Sequence, residues 1–523
     1  MQIQARTIKD ENPFFRSARV FEELTDRMGS REVLGMTHGE LERLLEKDGR
    51  ELIRHLLQDH LDLRGPGEAG GEVVGAKGGR RPHPRMRERG LETIFGKVTV
   101  SRTGYSGHDA DTLFPRDAEL NLPSELYSHG VQRRVAEEAI KTSFDQAVTT
   151  IASTTGAAVP KRQLEQLAGR AAADFDAFYE GRAGNSRREA KKTGEILALS
   201  TDAKGIVMRR EDLRAETRKA AEERTHKMSK RLSRGEKRNC KRMAQVATVF
   251  TVAPFIRSPE DIVTELRPEG HSERDAVVRP RPEHKRVWAS VDKPAKEVVD
   301  QMFKEALARD PARDKRWVAL IDGNLSQLGL IEKAAKREGV EPVIVLDIIH
   351  VLEYIWKAGI ALHGEGNVET ERWVSERLLE VLRGKSSEVA AGMRRSATLR
   401  KLKAKERLPI DTCADYLLKY RPYMRYDQYL AAGFPIATGV IEGACRHLIK
   451  DRMDITGACW GLEGAEAILR LRSLRASGDF DAYWGFHESA EYLRNHADLY
   501  TGPPPPTILP PKVARRGHLR LVT

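Results

Sequence analysis

The sequence predicts an α/β protein, and three observations carry that prediction. Short continuous apolar runs alternate with stretches of helical periodicity. The most apolar of these runs each end in an aspartate. Long helix-patterned regions flank them on both sides.

The first run lies in EILALSTDAKGIVM, where Ile196 to Leu199 read as a buried strand. It delivers Asp202 at its end, and Lys204-Gly205 is expected to turn the chain into a second apolar run. The next lies in RWVALIDGN, where Val318 to Ile321 form the strand, Asp322 ends it and Gly323 begins the turn. A third strand, Pro342–Leu346, ends at Asp347. Acids at strand ends stand at the rim of a sheet, where ligands bind.

A late stretch, Ile436–Trp460, is helix-compatible and holds Glu442, then Arg446, His447, Lys450, Asp451 and Arg452. Taken alone it also reads as a solvated helix face. The two strand-end acids change that, because Asp202, Asp322 and Glu442 follow one another at equal separations of 120 residues. Two acids on strands and one on a helix suit a pair of divalent cations about 3.5–4 Å apart, the arrangement that clamps the attacking and leaving oxygens in phosphoryl transfer. Hard oxygen donors favour Mg²⁺, with Mn²⁺ as its substitute.

The segments STDAKG, LIDGN, LDIIH and GVIEGACRHLIKDRM resemble the DDE transposases of bacterial insertion sequences related to the Mutator superfamily, and the ISKra group above all. The resemblance covers nearly the whole chain. It implies an RNase H-like catalytic core with a catalytic and metal-binding triad at Asp202, Asp322 and Glu442. It also implies accessory roles for Asp347 and His350, which match an Asp or Cys followed three positions later by His. The element Gly457-x-x-Trp460 matches as well, although Cys459 stands where the family usually has a basic residue. Asp347 is the rival for the second acid, being strand-terminal too. Asp322 is preferred because the succession strand–Asp–helix–strand–helix then follows the RNase H-like order.

Composition agrees with a polyanionic partner. The chain has 523 residues, 40% of them hydrophobic, and a formal charge of +12. The four cysteines are widely spaced and form no CxxC, so neither a disulfide framework nor a zinc knuckle is expected. Sparse cysteine, no apolar signal core at the N-terminus and no run long enough to cross a membrane point to a cytoplasmic protein. With the resemblance this implies a bacterial, nucleoid-associated one.

Along the chain, residues 1–120 read as a helical region with a Gly-rich linker and a short β segment. Leu41, Leu45, Leu52 and Leu56 recur at helical spacing. Gly65–Pro84 is Gly-rich and basic, a linker or flexible arm, and Thr93–Tyr105 alternates as a strand or hairpin. Residues 121–182 return to helix. Within them Ser143–Leu167 has a helix-turn-helix pattern, with Thr155-Gly156 at the turn and Pro160 near the start of the second helix. That pattern places Lys161, Arg162 and Gln163 at a recognition-helix N-terminus; an ordinary helical hairpin gives the same signal. Gly181–Thr193 is a basic linker.

The core begins at residue 194. Its first part, 194–363, contains a basic excursion, Arg209–Arg242, with 14 Lys/Arg against 6 Asp/Glu. Strands are then expected over Gln245–Phe255 and Arg286–Val291, and helices over Lys293–Ala308 and near Leu325–Arg337. Residues 364–430 are helical and charged, an all-helical insertion. Residues 431–500 supply the C-terminal core helices, and 501–523 form a Pro-rich basic tail expected to be disordered.

The function this implies is metal-dependent DNA cleavage and strand transfer by a homo-oligomer. Its partner is double-stranded DNA, both the element's terminal inverted repeats and the target. Lys161, Arg162, Gln163, Lys204, Arg446, His447, Lys450, Arg452 and Trp460 are the candidate DNA contacts. A nuclease or resolvase that cuts without joining, and a non-catalytic DNA-binding derivative, are the rival readings.

Overall fold

Ile196, Leu197, Ala198 and Leu199 have no exposed surface, because the strand they begin has a neighbour on each edge. In this computed structural model, which describes residues 12–108, 110–182, 193–223, 239–266, 279–455 and 457–508, that strand is β6 of ten, numbered in chain order. The strands before it are β1 (Val73–Val74), β2 (Arg80–Arg81), β3 (His83–Thr93), β4 (Gly96–Gly107) and β5 (Ala110–Leu113). Those from it onward are β6 (Ile196–Val207), β7 (Lys241–Val252), β8 (Glu283–Ser290), β9 (Arg316–Ile321) and β10 (Val343–Leu346). Much of the Gly181–Thr193 linker, residues 224–238 of the basic excursion and the tail from residue 509 lie outside the described residues.

The chain divides into two compact units, 1–174 with 481–523, and 175–480. The sequence reading groups residues 431–500, whereas the structure divides that group after Phe480. The helix Phe480–Asn495 is held in the first unit by buried polar contacts: His487 Nδ1 meets Asp174 at 2.7 Å, and Tyr483 donates to the Ala171 carbonyl at 2.7 Å.

In the first unit, Thr37 and Glu40 form a capping box that starts the long helix His38–Leu63. This helix lies on the β3–β4 hairpin, with Leu57 and Leu61 packing against Leu91, Val98, Val100 and Leu122. Leu45 and Leu56 of the expected apolar stripe remain 40% and 43% exposed, since the hairpin sits over a neighbouring face. The hairpin extends further than its alternating pattern predicted, because β3 pairs with β4 along its full length from His83↔Ser106 to Thr93↔Gly96. The Gly-rich stretch is not a free linker: β1 and β2 pair, and Arg81 is buried with its Nε donating to the Asp111 carbonyl at 2.6 Å. Tail residues 501–508 are also tied down, through Thr501 to Val74 and Ile508 to Glu68. The helix-turn-helix pattern forms the helices Phe144–Thr154 and Lys161–Ala171.

The second unit is built on a mixed sheet of order β10-β9-β6-β7-β8. β6, β7 and β8 are antiparallel neighbours, while β9 and β10 run parallel to β6. The helices Ala295–Arg309 and Leu325–Glu338 supply the crossovers that parallel strands require. One expectation is corrected here. Lys204-Gly205 makes no turn, and β6 continues through Asp202 to Val207 because its outer half keeps a ladder with β7, Gly205↔Met243 and Val207↔Lys241 among its pairs. Asp202 is still at a rim, since pairing with β9 stops at Ser200↔Leu320. On the far edge, Ser473 and Ser477 of the helix Leu462–Ser477 accept from the Ala289 and Val287 N–H groups of β8, which occupies what would otherwise be an open strand edge.

After β10 come four helices: Ile348–His363, Val368–Leu382, Ser386–Leu399 and Ala404–Lys419. On the second of these, Trp373, Leu378 and Leu382 are buried and Leu379 is half-buried. Among the described residues, no helix is long and apolar enough to cross a membrane.

Candidate metal centre

Sheet register assembles the site. Ser200 faces Leu320, and Asp202 and Asp322 each lie two residues further along these adjacent parallel strands. Leu346 faces Ile321, so Asp347 and Asp322 are the next residues on their own pair of strands. Three aspartates therefore share the carboxyl edge of three neighbouring strands, where α/β sheets bind ligands.

Glu442 comes from the far end of the sequence. The backbone N–H of Ile348 donates to the Ile436 carbonyl at 3.0 Å, which ties the incoming segment to the end of β10. Thr438 follows, buried, and its hydroxyl lies 2.5 Å from Asp347 Oδ2 and 3.4 Å from Glu442 Oε1. The helix Gly439–Ala444 then widens into a π-helical turn over Cys445–Lys450, an irregularity frequent at functional sites. Cys445, three residues past Glu442, donates its S–H to Asp202 Oδ2 at 3.1 Å. Thr438 thus links Glu442 to Asp347, and Cys445 links its helix to Asp202.

The acids differ in how their oxygens are used. Asp347 is fully buried and accepts from Ile349 N–H at 3.0 Å, from His350 Nδ1 at 3.0 Å and from Thr438. These bonds hold it below the usual carboxylate range against the opposing effect of burial. Asp322 is half-buried and, among the described residues, its carboxylate accepts only from the Asn324 N–H, at 2.8 Å, in an Asx turn. Asp202 accepts from Cys445 and from its neighbour Ala203 N–H at 2.6 Å. The Glu442 carboxyl is pushed up by burial and by the charges of Asp347 and Asp202, with His350 and Thr438 opposing.

His350 is the counter-charge. Its bond to Asp347, helped by Asp322 and Glu353, raises its pKa to about 9. Ligand atoms of Asp347, His350 and Glu442 lie within 4.8 Å of one another. A protonated imidazole has no lone pair to give a metal, which makes the carboxylates the candidate donors and His350 their counter-charge. Crowded carboxylates with raised protonation at Glu442, all hard oxygen donors, fit Mg²⁺ or Mn²⁺. Asp174, His487 and Glu491 form a second group of ligand type, but Arg494 already ion-pairs with Asp174 and Glu491 there.

The other candidates separate. Lys204, Arg446, His447 and Lys450 are exposed in the second unit, His447 and Arg446 lying 3.0 and 3.8 Å from Asp451. Lys161, Arg162 and Gln163 are exposed in the first unit, Lys161 lying 2.7 Å from Asp145. Arg452 and Trp460 are corrected: both are buried, the guanidinium 4.8 Å from the indole centroid. Trp460 bridges Met208 at the end of β6 and donates its indole N–H to the Met453 carbonyl at 3.0 Å, which ties the segment after Glu442 to that strand.

Four contributors escaped the sequence. Thr438 was legible as the residue before the helix, four positions ahead of Glu442. Cys445 belongs to no disulfide or zinc pattern, and its spacing of three from Glu442 signals nothing locally. Tyr416 and Tyr420 close on the Asp322-Gly323 turn, with Tyr416 Oη 3.5 Å from the Asp322 carbonyl and Tyr420 on that of Gly323. Nothing in their helical context signals that contact. No protein-family model matches the chain, and a search of curated proteins finds no match.

Proposed function

We propose that this chain is a DDE-type transposase, cutting DNA and joining the freed 3′ ends to a target. What supports the reading is the placement of Asp202, Asp322 and Asp347 at one sheet edge by strand register, with Glu442 brought close to Asp347 and His350 and its helix tied to Asp202 through Cys445. The order strand–Asp322–helix–strand–helix on a mixed sheet supports an RNase H-like core, and the helices between His363 and Tyr426 support the insertion.

Asp202, Asp322 and Glu442 would hold two Mg²⁺. Asp322 is preferred over Asp347 because, among the described residues, it keeps an oxygen without a hydrogen-bond donor, whereas Asp347 already accepts three bonds. Ions held there would supply charge stabilisation at the phosphate and favour deprotonation of the nucleophile. In cleavage, water oxygen bonds to phosphorus and the 3′-oxygen leaves as a hydroxyl; in joining, that hydroxyl attacks a target phosphate and a target 3′-oxygen leaves. Asp347 fixes Thr438 and His350, and through Thr438 the Glu442 carboxyl. Cys445 fixes the rotamer of Asp202. Lys204, Arg446 and Lys450 are exposed cations on the elements carrying Asp202 and Glu442, available to DNA phosphates.

The test is Glu442→Gln, which keeps size and polarity and removes the charge. It should abolish Mg²⁺-dependent cleavage while gel-shift affinity and melting temperature persist. Arg446→Ala should be milder. Retained cleavage by Glu442→Gln at saturating Mg²⁺ would overturn the assignment. A paired-end strand-transfer assay separates joining from cutting alone.

A further inference from the structure

The first unit contains a basic cleft that does not include Lys161, Arg162 or Gln163 in its lining. One wall is the helix His38–Leu63, on which Arg43, Lys47, Arg50 and Arg54 fall at successive turns of one face. The other wall is the hairpin tip, Phe95 to Lys97, and the turn after the helix Phe144–Thr154, Ser153 to Gly156. Between them lies a space of about 490 Å³.

The walls are fastened together. Gly156 N–H donates to the Ile94 carbonyl at 2.9 Å, Arg50 to the Thr155 carbonyl at 3.0 Å and Arg54 to the Lys97 carbonyl at 3.3 Å. A Cβ at Gly156 would meet the Phe95 backbone at 2.5 Å, so only glycine permits this approach. Glu46 and Glu51 are already engaged, by Arg50 and Arg54. Arg43, Lys47 and Lys97 are exposed and form no ion pair among the described residues. The cleft thus carries more cations than its own carboxylates pair with, although the Arg43 charge also helps hold the Glu40 carboxyl below its ordinary value behind that residue's bonds to Thr37.

We propose that this cleft binds the sugar–phosphate backbone of a DNA duplex, as a contact separate from any base-reading helix. The inference rests on the nucleic-acid reading above. From Arg43 to Arg54 the helix rises about 16 Å at about 1.5 Å per residue. At about 3.4 Å of rise per nucleotide of one strand, that spans about five phosphates. The residues touch no base-reading geometry, so the contact is independent of sequence.

The experiment uses the full chain and a labelled 30-base-pair duplex of random sequence, with affinity measured across a salt series. The triple variant Arg43→Gln, Lys47→Gln, Lys97→Gln is compared with wild type and with Lys333→Gln, Lys336→Gln, Lys405→Gln, which removes the same charge from exposed positions of the second unit. Each phosphate contact contributes about 0.9 to the slope of log K against log salt. The cleft variant should therefore flatten the slope by about 2–3 and weaken binding about 10- to 100-fold near physiological salt, with an unchanged melting temperature. The second-unit variant should stay within about threefold of wild type. An unchanged slope in the cleft variant, or an equal loss in both variants, overturns the cleft. A wild type that binds no duplex overturns the nucleic-acid reading itself, a result distinguishable from the first.

Discussion

At the residue scale, Thr438 and His350 show how a buried carboxylate is kept ionised beside others. The Thr438 hydroxyl has one proton, and the shorter of its two contacts assigns it to Asp347. Thr438→Val keeps the shape, removes that donor and leaves Asp347 under-satisfied in the interior. The expected cost is about 1–3 kcal/mol, with a higher Mg²⁺ requirement for cleavage, read from chemical denaturation and a metal titration. His350 makes a pH prediction for the metal-free protein. Its pKa is raised to about 9 from 6.5, so its stabilising contribution is complete below about pH 6.5 and is lost as pH rises through about 9. Asp347 is shifted the other way and stays ionised across that window. Unfolding free energy measured in EDTA should fall between pH 6.5 and 9.5, and His350→Gln should flatten the fall; an identical fall in the variant rejects the assignment. Comparing Asp322→Asn with Asp347→Asn separates ligand from support. The first should abolish cleavage with little loss of stability, whereas the second should lower both.

At the scale of elements, the turn after β9 positions Asp322. Gly323 has φ +95°, and a Cβ there would meet Tyr416 Oη at 3.0 Å and Leu346 Cδ1 at 3.5 Å. Gly323→Ala should cost about 1–3 kcal/mol from backbone strain and reduce cleavage by shifting Asp322. Tyr416→Phe, which preserves the ring stacked on Tyr354 at 4.0 Å, should retain most activity. Calorimetry and initial rates on both variants check this. Strand identity and the order of acids were legible at this scale, since four consecutive apolar residues before Asp202 and Asp322 have few other uses in a soluble core. The continuation of β6 past Asp202 was not, because Lys204-Gly205 looks locally like a turn and only the ladder to β7 keeps it extended.

At the scale of the whole molecule, the sheet unit is an insertion in the chain of the first unit, which resumes at Asp481. Closure of the first unit depends on Asp174, held below the usual carboxylate range against burial by Arg494 and His487. Asp174→Asn should destabilise this unit by about 2 kcal/mol and leave the metal dependence of cleavage unchanged. Domain-resolved hydrogen exchange would show the loss confined to residues 12–174 and 481–508.

By itself the sequence determined where the apolar strands of the sheet unit begin and that Asp322 and Asp347 follow the ends of theirs, because periodicity and apolar runs are local properties. Arg452 and Trp460 looked like surface residues for the same reason: nothing adjacent to them in sequence is what covers them. Tertiary structure alone decided the rest. Register put Asp202, Asp322 and Asp347 on one edge, and a returning segment set Thr438 between Asp347 and Glu442, 91 residues beyond the acid that it bonds. Such contacts depend on pairings between distant segments, and no local pattern encodes which distant segment will arrive.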